Sequence, residues 1–410
     1  MGRVLDYINN EMSRRVALTA PTHKAVKVLR AHTGSDDMYT THAYVGMKEE
    51  IDRNGNKIYV RDWHRPRTPC EEYQITIVDE ASMVVDEVFD ELESLVWGGQ
   101  HVIFVGDKLQ IPPVNCENSL PFEKEVQKEL GFQISTLDKI VRQAQNNPII
   151  HESMLIRKAV FSPVPGLSYE SNVKGLQGVS YAKYDRSLGF MDDVLKQFSS
   201  DHFKANPDYV KIIAWTNREV DRYNKLVRAH LFGENLPKIL EQDKLVANAP
   251  YTVDKKILVR NNEDMEVLSA RVISDQVATD TFLNVYETKV SIIGMGDKRS
   301  IEIIRILHES SERDFKDMLK LKRAAALLEA KGSYEAKNKW MDFYKLKDRY
   351  ADVKYSYAIT AHKSQGSTYD HAVVMAYDIL KNSRVQERNR ILYTSTTRPK
   401  YTLKIVYNGK

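Results

Sequence analysis

Two cysteines in 410 residues, Cys70 and Cys116, are too few for a disulfide framework or a zinc cluster. A reducing cytoplasm is the default setting for such a chain. No run of eighteen apolar residues occurs, so no hydrophobic helical span and no membrane partner are expected. The opening residues carry acid and amide within an apolar stretch, unlike a secretory signal. Met1-Gly2 is followed by Asp6 where a myristoylation site has Ser or Thr. No fixed-period repeat and no low-complexity tract is visible. A phosphate-binding loop of the form Gly-x-x-x-x-Gly-Lys-Ser/Thr is absent from all 410 residues.

What remains is an ordinary globular composition. Apolar residues make up 42% and charged residues 28%, with a formal charge of +4 and pI near 8.6. The length suggests two or three domains, and the mildly basic balance permits a nucleic-acid partner.

The most informative stretch is 74–83, Gln-Ile-Thr-Ile-Val-Asp-Glu-Ala-Ser-Met. Ile75–Val78 is a short, β-branched apolar run and reads as a buried parallel strand. It ends in Asp79 and Glu80, where open α/β sheets bind their ligands. A second such run, 101–105, leads into Gly106-Asp-Lys-Leu-Gln-Ile-Pro-Pro. Two buried strands ending in carboxylates predict neighbours around a phosphate–metal site. A solvated helix start explains the acidic pair alone, since 81–95 looks helical and acids suit a first turn.

Along the chain, Val4, Leu5, Ile8 and Met12 predict an opening helix. Val16–Ala20 reads as a buried strand, with Thr22 as N-cap of a helix that runs to Ala31. That helix start offers free N–H groups to an anion, but plain capping is the simpler explanation of Thr22. Ile51, an Asn54-Gly55 turn and Ile58-Tyr-Val form a hairpin signal, with Trp63, His64, Arg65 and Arg67 behind it. The hairpin is either a wedge against a duplex or a plain surface feature. Thr41 and His42 precede it and can reach phosphate oxygens. Arg142 stands before a helix, either a plain surface residue or one placed to reach a γ-phosphate, and 161–184, with two prolines and three glycines, reads as a crossing between domains.

A second α/β block opens at 211–218, with Trp215, Thr216 and Asn217 at a strand end and a helix over 220–230. Residues 246–308 read as short strands of a small inserted barrel. The segment 311–349 holds eleven Lys/Arg against seven Asp/Glu and reads as a solvated helical face. The block resumes with a strand leading to Ala361-His-Lys-Ser-Gln-Gly, a strand over 371–377, a helix over 385–393, Thr397-Arg398, and a last strand over 401–407.

In this order the motifs resemble the superfamily 1 DNA helicases of the RecD/Dda type, over nearly the whole chain. Asp79-Glu80 alone is unspecific. Gly-Asp-x-x-Gln-x-Pro-Pro followed far downstream by His-Lys-Ser-Gln-Gly is highly specific. The resemblance implies two RecA-like P-loop NTPase cores, the first incomplete, over 1–38 with 71–150 and over 151–245 with 351–410. It implies a β-hairpin pin at 39–70 and an SH3-like small barrel plus helices at 246–350. It implies ATP and Mg²⁺ as cofactors, with Asp79 on the metal, Glu80 as base, Gln110 sensing the γ-phosphate, and Arg142 and Arg398 stabilising the transition state. Gln365 and Gly366 complete the nucleotide site. DNA contacts are implied for Pro21, Thr22, His23, Thr41, His42, Trp63, Thr216, Asn217, His362, Lys363 and Ser364. The implied partners are single-stranded and forked DNA, with replication or recombination proteins beside them. The implied enzyme is a monomer moving 5′-to-3′.

The resemblance departs at the phosphate loop, which the family places just before the helix at Val4. The chain is therefore expected to begin just past it, to lack ATPase activity on its own, and to miss a mid-sheet strand of the first core. Residues 205–410 are expected to keep every strand of the second core. Pro399 stands where a small residue usually follows the arginine. Two other readings stay open: a DNA-binding module without ATPase activity, and a nuclease-type use of Asp79 and Glu80.

Overall fold

The protein is described here by a computed structural model covering residues 7, 12, 14–62, 64, 67–113, 116–137, 146–293 and 299–409. The opening helix, Trp63 and Arg142 lie outside the described residues. By contact density the chain falls into two units: 1–78, 90–103 and 235–355 form the first, and 79–89, 104–234 and 356–410 the second.

The first unit holds a parallel sheet of β1 (Val16–Ala20), β2 (Met38–Thr40), β5 (Ile75–Val78) and β6 (His101–Phe104), in the order β2-β1-β5-β6. Every residue of β1 and β5 is buried, as unbroken apolar runs require when both faces of a sheet are covered. β1 pairs directly with β5, Leu18 opposite Ile77, so the described sheet has no gap in its middle. Its uncovered edge is β6, where Ile103 is 41% exposed. The expectation of a buried strand at 101–105 is therefore corrected: β6 has the right composition but no further described strand outside it. The helix His23–Thr33 follows β1, capped by Thr22 Oγ1, which accepts from Ala25 N at 3.2 Å. It stops at Gly34, whose φ of 69° is left-handed. β3 (Met47–Ile51) and β4 (Lys57–Arg61) form the hairpin, with Asp52 Oδ1 accepting from Asn54 N and Asn56 N to shape the turn.

The β-rich part of the same unit is an antiparallel sheet of β10 (Lys244–Ala247), β13 (Asp264–Ala278), β14 (Thr281–Ile293), β15 (Arg299–Leu307) and β16 (Val353–Tyr355), ordered β15-β14-β13-β10-β16. A small hairpin of β11 (Tyr251–Val253) and β12 (Lys256–Val259) lies over it, and Tyr251, Val259, Met265, Tyr286 and Ile304 share its core. Helices Glu312–Leu328 and Tyr334–Lys347 pack through Phe315 and Leu346 onto Leu283 and Val285.

The second unit is built on β7 (Asn172–Lys174), β8 (Gln177–Lys183), β9 (Val210–Ala214), β17 (Ala358–Thr360), β18 (Tyr369–Val374) and β19 (Pro399–Tyr407), ordered β17-β9-β18-β19-β8-β7. All pairs are parallel except β7–β8. Two expectations fail here. The supposed crossing at 161–184 supplies two strands, and β8 lies beside β19 with Leu403 opposite Val179. The segment 205–410 therefore lacks two strands of its sheet. β8 has no apolar run to announce it, and Gly178 reads as a loop signal. Its glycine has another cause: φ is 138°, and a Cβ there would stand 2.3 Å from Asn172 O. Pro399 opens β19, a position at a strand start where proline is tolerated.

Candidate active site and nucleic-acid contacts

Beyond β5 the chain turns at Glu80, a non-glycine residue with φ 50° and ψ 43°. A left-handed bulky residue at a strand end holds local strain against surrounding structure, an arrangement that clusters at functional sites. Helical structure resumes only as the short turn Ala81–Met83 and then Asp86–Trp97. Ala81 N donates to Val105 O at 2.9 Å, which ties the loop after β5 to the loop after β6. Ser119 Oγ lies 2.9 Å from both Ala81 O and Val84 O and supports the turn from the other side. Gly106 is required at this crossing, because a Cβ would come within 2.9 Å of Ala81 N.

The loop after β6 is stitched to residues near the end of the chain. Arg398 is completely buried. Its guanidinium donates to Gln110 Oε1 at 3.2 Å, to Thr397 Oγ1 at 3.0 Å, to Thr394 O at 2.9 Å through Nε, and to Ser367 O at 3.4 Å. Gln365 Nε2 donates to Ile111 O at 2.9 Å, and Ile111 N donates to Thr394 Oγ1 at 3.3 Å. Gly366 follows with φ 70°. Gln110, Gln365 and Arg398 are thus brought together within the second unit, across almost three hundred residues of sequence.

The Asp107 carboxylate, at the end of the second strand, is held by its neighbours. Oδ2 accepts from Arg157 Nη1 at 2.5 Å and from the Tyr393 hydroxyl at 2.7 Å, and Oδ1 accepts from Leu109 N at 3.1 Å. These bonds hold the Gly106–Gln110 loop against helices Pro148–Lys158 and Val385–Thr396. Burial, then the neighbouring Asp107 charge, pushes the Tyr393 hydroxyl up to about 12. Arg390 anchors the following segment by donating to Glu117 O and Asn118 Oδ1. Sequence reasoning missed Arg157, Arg390 and Tyr393, because no local pattern marks the partner of a distant loop. No group of three or more His, Cys, Asp or Glu among the described residues is placed to hold a metal. The pair Asp79 and Glu80 still fits Mg²⁺, which takes one or two carboxylates and keeps waters and phosphate oxygens for the rest.

The nucleic-acid candidates divide between the units. In the first, Pro21, Thr22 and His23 stand at the helix start after β1. Burial first, then the nearby Arg260 charge, lowers the His23 ring to about 4, so it is neutral at pH 7. The same helix is tied to the β-rich sheet by Lys24–Asp264 and Lys27–Glu263 ion pairs, both 2.7 Å. Thr41 is buried, and the His42 ring lies 4.4 Å from the Tyr59 ring of the hairpin. The hairpin is braced at its turn: Tyr344 donates to Gly55 O at 2.9 Å, and Lys57 Nζ lies 5.2 Å from the Tyr344 ring centroid. Gly55 has φ 84°, and a Cβ there would meet the Trp340 ring at 2.3 Å. Trp63 lies outside the described residues.

In the second unit, Asn217 is exposed and Thr216 half-buried. The Thr216 hydroxyl is already engaged: it accepts from Glu219 N at 3.3 Å as a helix cap and donates to the Asp378 carboxylate at about 3.0 Å. Asp378, fully buried, also accepts from Trp215 N and Thr216 N and so fixes this turn. His362 and Lys363 are half-buried, and burial lowers the His362 ring. Ser364 requires a correction, because it is fully buried and donates to Ala361 O at 2.7 Å. Its hydroxyl holds the turn and does not face solvent.

Residues 1–162 match the AAA domain family, and 355–406 match the UvrD-like helicase C-terminal domain. Three relatives stand out. An uncharacterized protein of Acanthamoeba polyphaga mimivirus is 25% identical over 453 residues, covering 96% of this chain and 89% of that protein. The ATP-dependent DNA helicase dda of Enterobacteria phage T4 is 25% identical over 410 residues, covering 94% and 86%. The ATP-dependent RecD2 DNA helicase of Deinococcus radiodurans is 33% identical over 135 residues, 33% of this chain and 16% of that one. Among solved structures, the Pif1 helicase from Candida albicans aligns with TM-score 0.47 and 14% identity, over 98% of this chain and 86% of that one. No helix among the described residues is long and apolar enough to cross a membrane.

Proposed function

We propose that this chain, which belongs to the superfamily 1 DNA helicases of the RecD/Dda type, is an ATP-driven motor that tracks single-stranded DNA 5′-to-3′ and opens forked DNA as a monomer. In this reading 1–38 with 71–150 and 151–245 with 351–410 are its two motor cores, 39–70 its pin, and 246–350 an accessory domain.

The observation that carries the reading is the Arg398–Gln110 hydrogen bond, with Gln365 held beside it on Ile111 O. Glutamine and arginine side chains that touch one another form a relay, so a change at one is felt by the other. Asp79 would hold Mg²⁺, which when bound neutralises phosphate charge. Glu80 orients and deprotonates the attacking water from its strained turn. Gln110 reads the terminal phosphate, and Arg142 and Arg398 face the charge that develops there. Pro21, Thr22, His23, His42 and Trp63 in the first unit and, separately, Thr216, Asn217, His362 and Lys363 in the second contact the strand. Their contacts are to backbone, so affinity follows salt and not sequence. The half-buried, neutral His23 contributes hydrogen bonding and no charge.

One observation favours a second reading. No phosphate-binding loop occurs in these 410 residues, so on their own they are proposed to bind single-stranded DNA without turning over ATP. The test pairs two measurements on the 410-residue chain: single-stranded DNA affinity, and phosphate release with ATP, Mg²⁺ and DNA. Tight, salt-dependent binding with no release fits the proposal, whereas turnover at an ordinary enzymatic rate contradicts the inactivity. Absence of DNA binding contradicts both readings.

A further inference from the structure

Helix Glu312–Leu328 is apolar on two sides. Phe315 and Ala326 are buried on the side that meets the sheet and the second helix. On the outer side Leu321, Ala324 and Leu328 recur at the spacing of one helical stripe, with Leu327 next to them. These leucines are 72%, 87% and 64% exposed for Leu321, Leu328 and Leu327. Tyr334 and Met341 on the following helix are exposed as well. An amphipathic helix needs one apolar face, and a second one that stays in water marks a surface that another molecule covers.

The charge around this face selects the occupant. From 312 to 341 eight Lys and Arg residues stand against five Asp and Glu, and from Met318 on, where the exposed leucines lie, the balance is six cations to Glu329 and Glu335. Lys320 and Lys337 pair with Asp317 and Glu50, while Lys322, Arg323, Lys331 and Lys339 have no ion-pair partner among the described residues. A second copy of the same face brings like charge to like charge. A DNA backbone answers the cations and leaves the leucines in water. An acidic segment with apolar residues at helical spacing answers both.

We infer that the outer face of helix Glu312–Leu328, with the start of the next helix, is a docking site for an acidic amphipathic helical segment of a partner protein. The apolar stripe supplies a helix-on-helix contact, and the cations set orientation and rate of encounter. This goes beyond the motor reading and needs neither nucleotide nor DNA.

The test is fluorescence anisotropy of a labelled synthetic peptide of Glu, Asp, Leu and Phe, its apolar residues spaced three and four apart, titrated with the 410-residue chain. Saturable binding that weakens with salt is expected. Leu327→Asn with Leu328→Asn should weaken it by about tenfold or more, and Lys322→Glu with Arg323→Glu should weaken it and flatten the salt dependence. Arg323, Leu327 and Leu328 are exposed and Lys322 is half-buried, and an unchanged melting temperature certifies the fold of the variants. Four results overturn the inference: no binding, equal binding of a scrambled peptide, binding indifferent to the leucine changes, or leucine changes that weaken single-stranded DNA affinity or self-association in place of peptide binding.

Discussion

The two units use their polar side chains in opposite ways. In the second, Gln110, Gln365, Asp107 and Arg398 are engaged with one another or with backbone, and the most important of them is completely buried. In the first, the polar positions considered for DNA sit at a helix cap and beside an exposed hairpin, and the bracing comes from ion pairs and aromatic contacts around them. A buried relay loses much when one member is removed, because its partners are left unsatisfied. A braced surface element loses position more than stability. The comparison therefore predicts a steep response to substitution in one unit and a shallow one in the other.

The largest effect is expected at Arg398. Arg398→Ala strips donors from Gln110 Oε1, Thr394 O and Ser367 O and should cost about 3 kcal/mol of stability. Arg398→Lys keeps the charge but not the fork, so it should recover only part of that loss. Denaturant unfolding checks both, and a neutral Arg398→Ala would remove the buried relay from the account.

Next comes Gly55. Gly55→Ala meets both a positive φ and the Trp340 ring, so the turn should lose about 1–2 kcal/mol and the hairpin should become the first site of proteolytic cutting. Tyr344→Phe removes a single hydrogen bond to Gly55 O and should cost about 1 kcal/mol. Limited proteolysis that leaves Gly55→Ala intact would show that the turn is not braced by Trp340.

Tyr393→Phe belongs to the second unit and removes one of three bonds to Asp107 together with the bond its hydroxyl accepts from Arg157, while the Arg157–Asp107 ion pair stays. About 1 kcal/mol is expected, with Asp107→Asn costing more because the Arg157 ion pair goes too. An ordering with Tyr393→Phe the worse of the two would mean that the tyrosine acts by packing.

A further effect is one of pH. The His23 ring is held near 4 in the folded protein against an ordinary value of 6.5. Below 6.5 the unfolded chain takes up a proton that the folded chain refuses. The contribution is therefore present above about 6.5, is lost as pH falls towards about 4, and stays constant below that. His23→Gln should flatten the stability profile of the first unit in this window. An unchanged profile would mean that His23 is not held neutral by its surroundings.

How much of this was legible in the sequence follows the same division. β1 and β5 were readable because an unbroken apolar run has few other places to be. Thr22 as a cap and the Asn54-Gly55 turn were readable because their causes are local. What failed depends on distant partners. Asp107 carries no local sign that Arg157 and Tyr393 hold it from elsewhere in the chain. Ser364 looks like a phosphate contact until its turn is buried. Asp378 has no motif at all, yet it fixes the Thr216 turn from just beyond the neighbouring strand. β6 and β8 show the converse: apolar composition did not guarantee burial in one, and its lack did not prevent pairing in the other.

The most direct test is phosphate release with saturating single-stranded DNA by the protein as its own gene encodes it, beside its Glu80→Gln variant. The account predicts DNA-stimulated turnover that Glu80→Gln lowers by roughly 10²–10⁴-fold while nucleotide still binds. Turnover that survives Glu80→Gln, or a parent protein that binds DNA and never releases phosphate, would contradict it.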